Sequence, residues 1–147
     1  MTDFRTFEEF FENLRQTAKI RHFNVVEFTS YFAVTRRGVK NSTPPRELWP
    51  NISGTLKVVD DLRAHFGRPI VILSSYRSPA YNAAINGAAS KSYHMRFNAL
   101  DIAVSGVQPP EVFRILKGWR DKGRFKGGLG LYSTFVHIDT RGTNATW

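Results

Sequence analysis

Ala99-Leu100-Asp101-Ile102-Ala103-Val104 is the stretch on which the fold turns. Its alternation reads as a strand, with Leu100, Ile102 and Val104 on one face and Asp101 on the other. A carboxylate inside such a strand is costly unless it is paired or ligates a cation. Phe135-Val136-His137-Ile138-Asp139 repeats the pattern, with His137 and Asp139 on one face. Gly128 to Tyr132 just before it, and the β-branched run Pro69 to Ser74, supply two more strands.

Outward from these strands the periodicity becomes helical. Phe4, Phe7, Phe11 and Leu14 space a helix over Asp3 to Ala18, with Thr6 and Glu9 at capping-box spacing. His22 to Phe32 reads as a connector and a short helix capped by Asn24, and Arg36 to Ser42 as a loop. Thr43-Pro44-Pro45 opens a long helix that carries Pro50 near its start and ends at Gly67. Pro79 to Ile85 suits a short helix, and Pro109 to about Lys122 a longer one. Helices before a small, mainly antiparallel sheet make the class α+β. A chain of 147 residues is the size of one domain, so residues 1–147 are expected to form a single unit with the helix of 1–20 packed on it.

No run approaches the roughly 18 apolar residues of a membrane span. Phe7, Glu8, Glu9 and Phe10 interleave charge with aromatics where a signal peptide would be apolar, so the expected product is soluble, monomeric and made in the cytoplasm. There is no cysteine, which limits any metal site to His, Asp and Glu ligands. A formal charge of +9 and a pI near 10.3 favour polyanionic partners, nucleic acid or an anionic cell envelope. The basic residues are scattered and form no stripe with interleaved aromatics, which argues against specific nucleic-acid binding.

Of four histidines, His22 and His65 read as surface or packing residues. His94 follows a loop of small residues, Asn86-Gly87-Ala88-Ala89-Ser90, and His137 lies in an apolar strand. Together with Asp101 they suit a tetrahedral zinc with one position open, and equally a buried histidine–carboxylate hydrogen bond.

Several separated blocks then carry a resemblance. Ser75-Tyr76-Arg77-Ser78-Pro79, Asn82, Asn86-Gly87-Ala88 and Ser92-Tyr93-His94 with Ala99 and Asp101 resemble the core of the zinc D-alanyl-D-alanine carboxypeptidase family. Gly128 to Tyr132 and Phe135 to Arg141, with Trp147, resemble its closing block. The branch most similar is that of murein endopeptidases and small phage or prophage lysins, whose metal centre is shared with lysostaphin-type enzymes and the hedgehog fold. The resemblance implies a peptidase of peptidoglycan stem peptides, endopeptidase or carboxypeptidase, acting on the cell wall after release, in the host periplasm. It implies His94, Asp101 and His137 as Zn2+ ligands, Arg77 as the grip on a substrate carboxylate, and Ser92 as a substrate or loop-fixing group. The family usually has Gly where Phe97 stands, so the loop is expected to be reshaped or Phe97 to line the cleft. Some relatives carry a Glu or Asp base where Thr134 stands. Asp139 is then the candidate catalytic base, or else a carboxylate that orients His137. The alternative to an enzyme is a metal-binding interaction or virion structural domain without catalysis.

Overall fold

A computed structural model describes residues 4–85 and 90–147 of the chain. The small-residue block Asn86 to Ala89 therefore lies outside the described residues, as does Asp3.

The first helix, α1 (Phe7–Thr17), starts where its cap predicts: Thr6 Oγ accepts from the Glu9 N–H at 3.1 Å. The Glu9 carboxylate turns back to the Arg5 N–H at 2.9 Å, one residue earlier than in a strict capping box. Helix α2 (Val26–Phe32) is capped by Asn24, whose Oδ1 accepts from Val26 N–H at 3.0 Å. The expected loop after it contains a small hairpin, β1 (Thr35–Arg36) with β2 (Val39–Lys40). Its two turn residues, Arg37 (φ 52°) and Gly38 (φ 78°), both take the positive φ of a tight hairpin turn, and arginine at the first of them hides the signal.

The expected long helix is divided. A 3₁₀ turn, Arg46–Asn51, precedes α3 (Ile52–Phe66), because Pro50 has no N–H to continue an α-helical ladder. Gly67 ends α3 in the left-handed region (φ 63°), its N–H reaching Arg63 C=O at 3.0 Å. Asp60 on α3 accepts the N–H groups of Arg21 and His22, which ties the segment after α1 to the helix.

Then follow β3 (Ile70–Ser74), α4 (Pro79–Ala84), a 3₁₀ turn at Tyr93–Arg96, β4 (Ala99–Val104), α5 (Pro109–Asp121), β5 (Gly128–Leu131), β6 (Val136–Asp139) and β7 (Ala145–Thr146). The five-stranded sheet runs β3-β4-β6-β5-β7 and is antiparallel except for β7, which joins β5 in parallel. The architecture is the α+β class the sequence predicts, with β1–β2 and β7 added. Among the described residues no helix is long and apolar enough to cross a membrane.

The sheet has one apolar face. Leu100, Ile102, Val104, Leu129, Val136 and Ile138 join Leu56, Val59 and Leu62 of α3 and Val112 and Leu116 of α5 in one core. The core continues into an aromatic cluster in which Phe97 is 0 % exposed. Its ring stands 5.8 to 6.2 Å from Phe7, Phe28, Phe32 and Tyr76. Phe97 nevertheless adopts φ 57°, ψ 40°, the backbone a glycine takes most easily. It does not line a cleft. The loop keeps a glycine-like turn, and burial of the ring offsets the strain of a side chain there, about 1–2 kcal/mol.

Candidate metal centre

The sheet's other face carries the polar residues, and register alone brings them together. Ser74 pairs with Asp101, Asp101 with His137, and His137 with Gly130, so the four form a row across β3, β4, β6 and β5. His94 arrives from the 3₁₀ turn, which Ser92 starts by accepting the His94 N–H on its Oγ at 3.2 Å. Arg77 N–H to His94 C=O, 3.2 Å, fastens that turn to the chain leaving β3.

One ligand atom each of His94, Asp101 and His137 lies within 4.8 Å of the others, and all three residues are buried. His94 Nε2 and His137 Nδ1 stand 3.2 and 3.0 Å from Asp101 Oδ1. The far nitrogens are already committed. His94 Nδ1 is 2.7 Å from the Ser75 carbonyl oxygen, which can only accept, so Nδ1 carries the proton and Nε2 faces the cluster with its lone pair. His137 Nε2 is 2.7 Å from Asp139 Oδ2, which leaves Nδ1 inward. Two imidazoles, each turning one ring nitrogen inward, and one carboxylate fit a zinc ion held by three protein ligands with a fourth position open.

Asp139 stands on the same strand face as His137, as expected, but at the ring edge away from the cluster. It is 0 % exposed, and its oxygens accept from Gly128 N–H (2.9 Å), Arg141 N–H (3.1 Å), Arg141 Nε (2.9 Å) and Arg141 Nη2 (2.7 Å) besides His137. Gly128 is required here, because a Cβ would stand 2.5 Å from Asp139 Oδ2 and 2.6 Å from Arg141 Nη2. Arg141 in turn lies over the rings of Tyr93 (4.0 Å) and Trp147 (5.2 Å). Burial would push the Asp139 carboxyl up. The hydrogen bonds from Arg141, His137 and the Gly128 N–H outweigh it and hold the group well below the usual range. Asp101 is held low in the same way by the two histidines. Burial lowers the pKa of His94, whereas for His137 the bonds to Asp101 and Asp139 overcome burial and raise it. A metal at the cluster therefore competes with a proton on His137.

Arg77 sits at the rim, its side chain 15 % exposed. Nη2 donates to Asp101 Oδ2 at 3.3 Å and Nε to Ser74 Oγ at 3.1 Å, and Ser74 donates onward to Tyr31 Oη at 2.8 Å. Ser92 Oγ caps the turn that carries His94. Thr134 is exposed in the β5–β6 connection. Sequence reasoning missed the roles of Ser75, Arg141 and Tyr93, since nothing in their spacing announces a carbonyl that sets a tautomer or a guanidinium between two rings.

The family model for Peptidase M15 matches residues 21–139, which holds all three ligand candidates and Asp139. The chain belongs to the peptidase M15 family. It is similar to the peptidoglycan L,D-endopeptidase MepK of Escherichia coli K12, with 35 % identity over 79 residues, 50 % of this chain and 41 % of that one. It is also similar to the probable peptidoglycan L,D-endopeptidase MepK of Haemophilus influenzae, with 34 % identity over 84 residues, 53 % and 42 % of the two chains. This M15 chain thus spans under half the length of those curated relatives. No solved structure matches it. Arg141 and Trp147, which complete the polar and aromatic surroundings of His137, lie beyond the matched M15 residues.

Proposed function

We propose that the protein is a zinc-dependent peptidase of peptidoglycan, cutting stem-peptide bonds as an endopeptidase or a D,D-carboxypeptidase. The observation that carries this reading is the cluster of His94, Asp101 and His137, with one ring nitrogen of each histidine turned into it and the other held by Ser75 C=O or Asp139. Membership of the M15 family and the names of the relatives support peptidoglycan as substrate.

His94 Nε2, an Asp101 oxygen and His137 Nδ1 would hold the ion. Bound there, zinc supplies Lewis acidity, which polarises a carbonyl and activates water. Arg77 binds a substrate carboxylate through its guanidinium fork while keeping Asp101 oriented. Asp139 serves to orient His137 and to keep its outer nitrogen protonated, in place of the base role weighed from the sequence. Ser92 shapes the turn that presents His94.

The resemblance to small phage and prophage members supports a lysin that reaches the wall after release. The formal charge of +9 supports adhesion to an anionic envelope. A second reading, a metal-binding domain without catalysis, is favoured by one observation: Thr134 stands where some relatives carry a base. Muropeptide analysis of walls incubated with zinc-loaded protein separates the two and identifies the bond. New peptide termini that disappear under excess chelator and return with zinc are the expected result. Intact walls leave the second reading, and cleavage that persists under chelator removes zinc from the first.

A further inference from the structure

The two flanks of the metal cluster differ in chemistry. On one stands Arg77, a rim guanidinium. On the other, Trp147 lies with its ring 5.0 Å from that of His137, and Tyr132 and Phe135 continue the surface, stacked at 4.5 Å and 8°. Trp147 is 46 % exposed and Tyr132 41 %, yet neither is loosely held. The Trp147 backbone is pinned to β5 by Leu131 N–H to Trp147 C=O (2.8 Å) and Trp147 N–H to Leu129 C=O (3.0 Å). Its Nε1 donates to Tyr132 Oη at 2.8 Å. Gly130 leaves the space the indole fills, since a Cβ there would stand 2.5 Å from Nε1. Arg141, which lies over the indole, is paired with Asp139, so its charge is offset there.

A rigid, half-exposed run of three rings beside a metal ligand is preorganised contact area. From its hydrogen-bonded, half-exposed rings and the pairing of Arg141 with Asp139 we infer that this aromatic shelf is a subsite for a sugar ring of the glycan strand. The inference rests on the peptidoglycan reading above. Within that polymer the stem peptides carry carboxylates, which match the Arg77 flank, whereas the N-acetylated amino sugars are uncharged and present flat C–H faces. The shelf is also three rings long, more than the methyl of an alanine covers.

The test pairs two substrates with the same stem peptide, one still joined to its amino sugar and one freed of it by an amidase, with the full chain loaded with zinc. The wild type should show a kcat/KM about tenfold higher on the sugar-bearing substrate. That ratio should fall towards one in Tyr132→Ala and in Phe135→Ala, with zinc stoichiometry measured alongside to exclude loss of the metal. Equal kcat/KM on the two substrates in the wild type, or an unaltered ratio in both variants, overturns the subsite. Hydrolysis of neither substrate overturns the peptidase reading instead. The shelf is then judged by titration with peptide-free glycan strands: a Kd weakened about tenfold in both variants supports it, and no binding by the wild type overturns it.

Discussion

At the scale of single residues, the candidate centre leans on a group buried behind its ligands. Asp139 sits behind His137 and holds its Nε2–H, so its replacement should act on the metal before it acts on chemistry. Asp139→Asn is expected to weaken zinc affinity by roughly 10- to 100-fold, read by competition with a chromogenic chelator. Unaltered affinity with lost turnover would instead make Asp139 the base. Arg77 offers the opposite contrast. If Arg77 grips a substrate carboxylate as proposed, Arg77→Ala costs about 1.5–3 kcal/mol of binding and should lower kcat/KM roughly 10- to 100-fold mainly through KM. Zinc content should hold, and its loss would show that the Arg77–Asp101 contact is what keeps the ligand in place. The three ligand candidates were legible because each is a polar group isolated in apolar or small-residue surroundings, where only pairing or ligation accounts for it. Arg141 was not, because its place between Tyr93 and Trp147 is set by the approach of segments distant in sequence.

Elements show where local rules hold and where packing overrules them. Strand β4 has the limits its alternation predicts, and α5 ends one residue from its expected limit, since both patterns are long enough to average out exceptions. The hairpin β1–β2 and the strand β7 escape such reading because each strand is two residues long and defined by its partner. The turn that presents His94 is the sharper case. It closes on Phe97 in a left-handed conformation, where a local rule asks for glycine. Phe97→Gly would relieve about 1–2 kcal/mol of backbone strain and remove a buried ring worth about 3–5 kcal/mol. The protein should therefore lose roughly 1–4 kcal/mol, measured as a lower midpoint of denaturant unfolding. A more stable glycine variant would mean that the aromatic cluster does not hold this turn.

On the scale of the whole molecule, charge and topology set how the protein meets its surroundings. Twenty-one Lys and Arg against twelve Asp and Glu give an excess that attracts anionic polymers at distances up to about the Debye length, near 10 Å at 0.1 M salt. Retention on isolated cell walls, followed by pelleting, should therefore fall steeply as ionic strength rises, and salt-insensitive retention would place the binding energy elsewhere. Topology adds a constraint on folding itself. Asp101 and His137 are direct cross-strand partners 36 positions apart in the chain. A slip of one residue between β4 and β6 would put Val136 or Ile138 opposite Asp101 and turn the histidine into the apolar core. A metal held by His94, Asp101 and His137 would thereby proofread strand alignment: only the correctly paired sheet could retain it, and once retained it would make every misaligned pairing the less stable one.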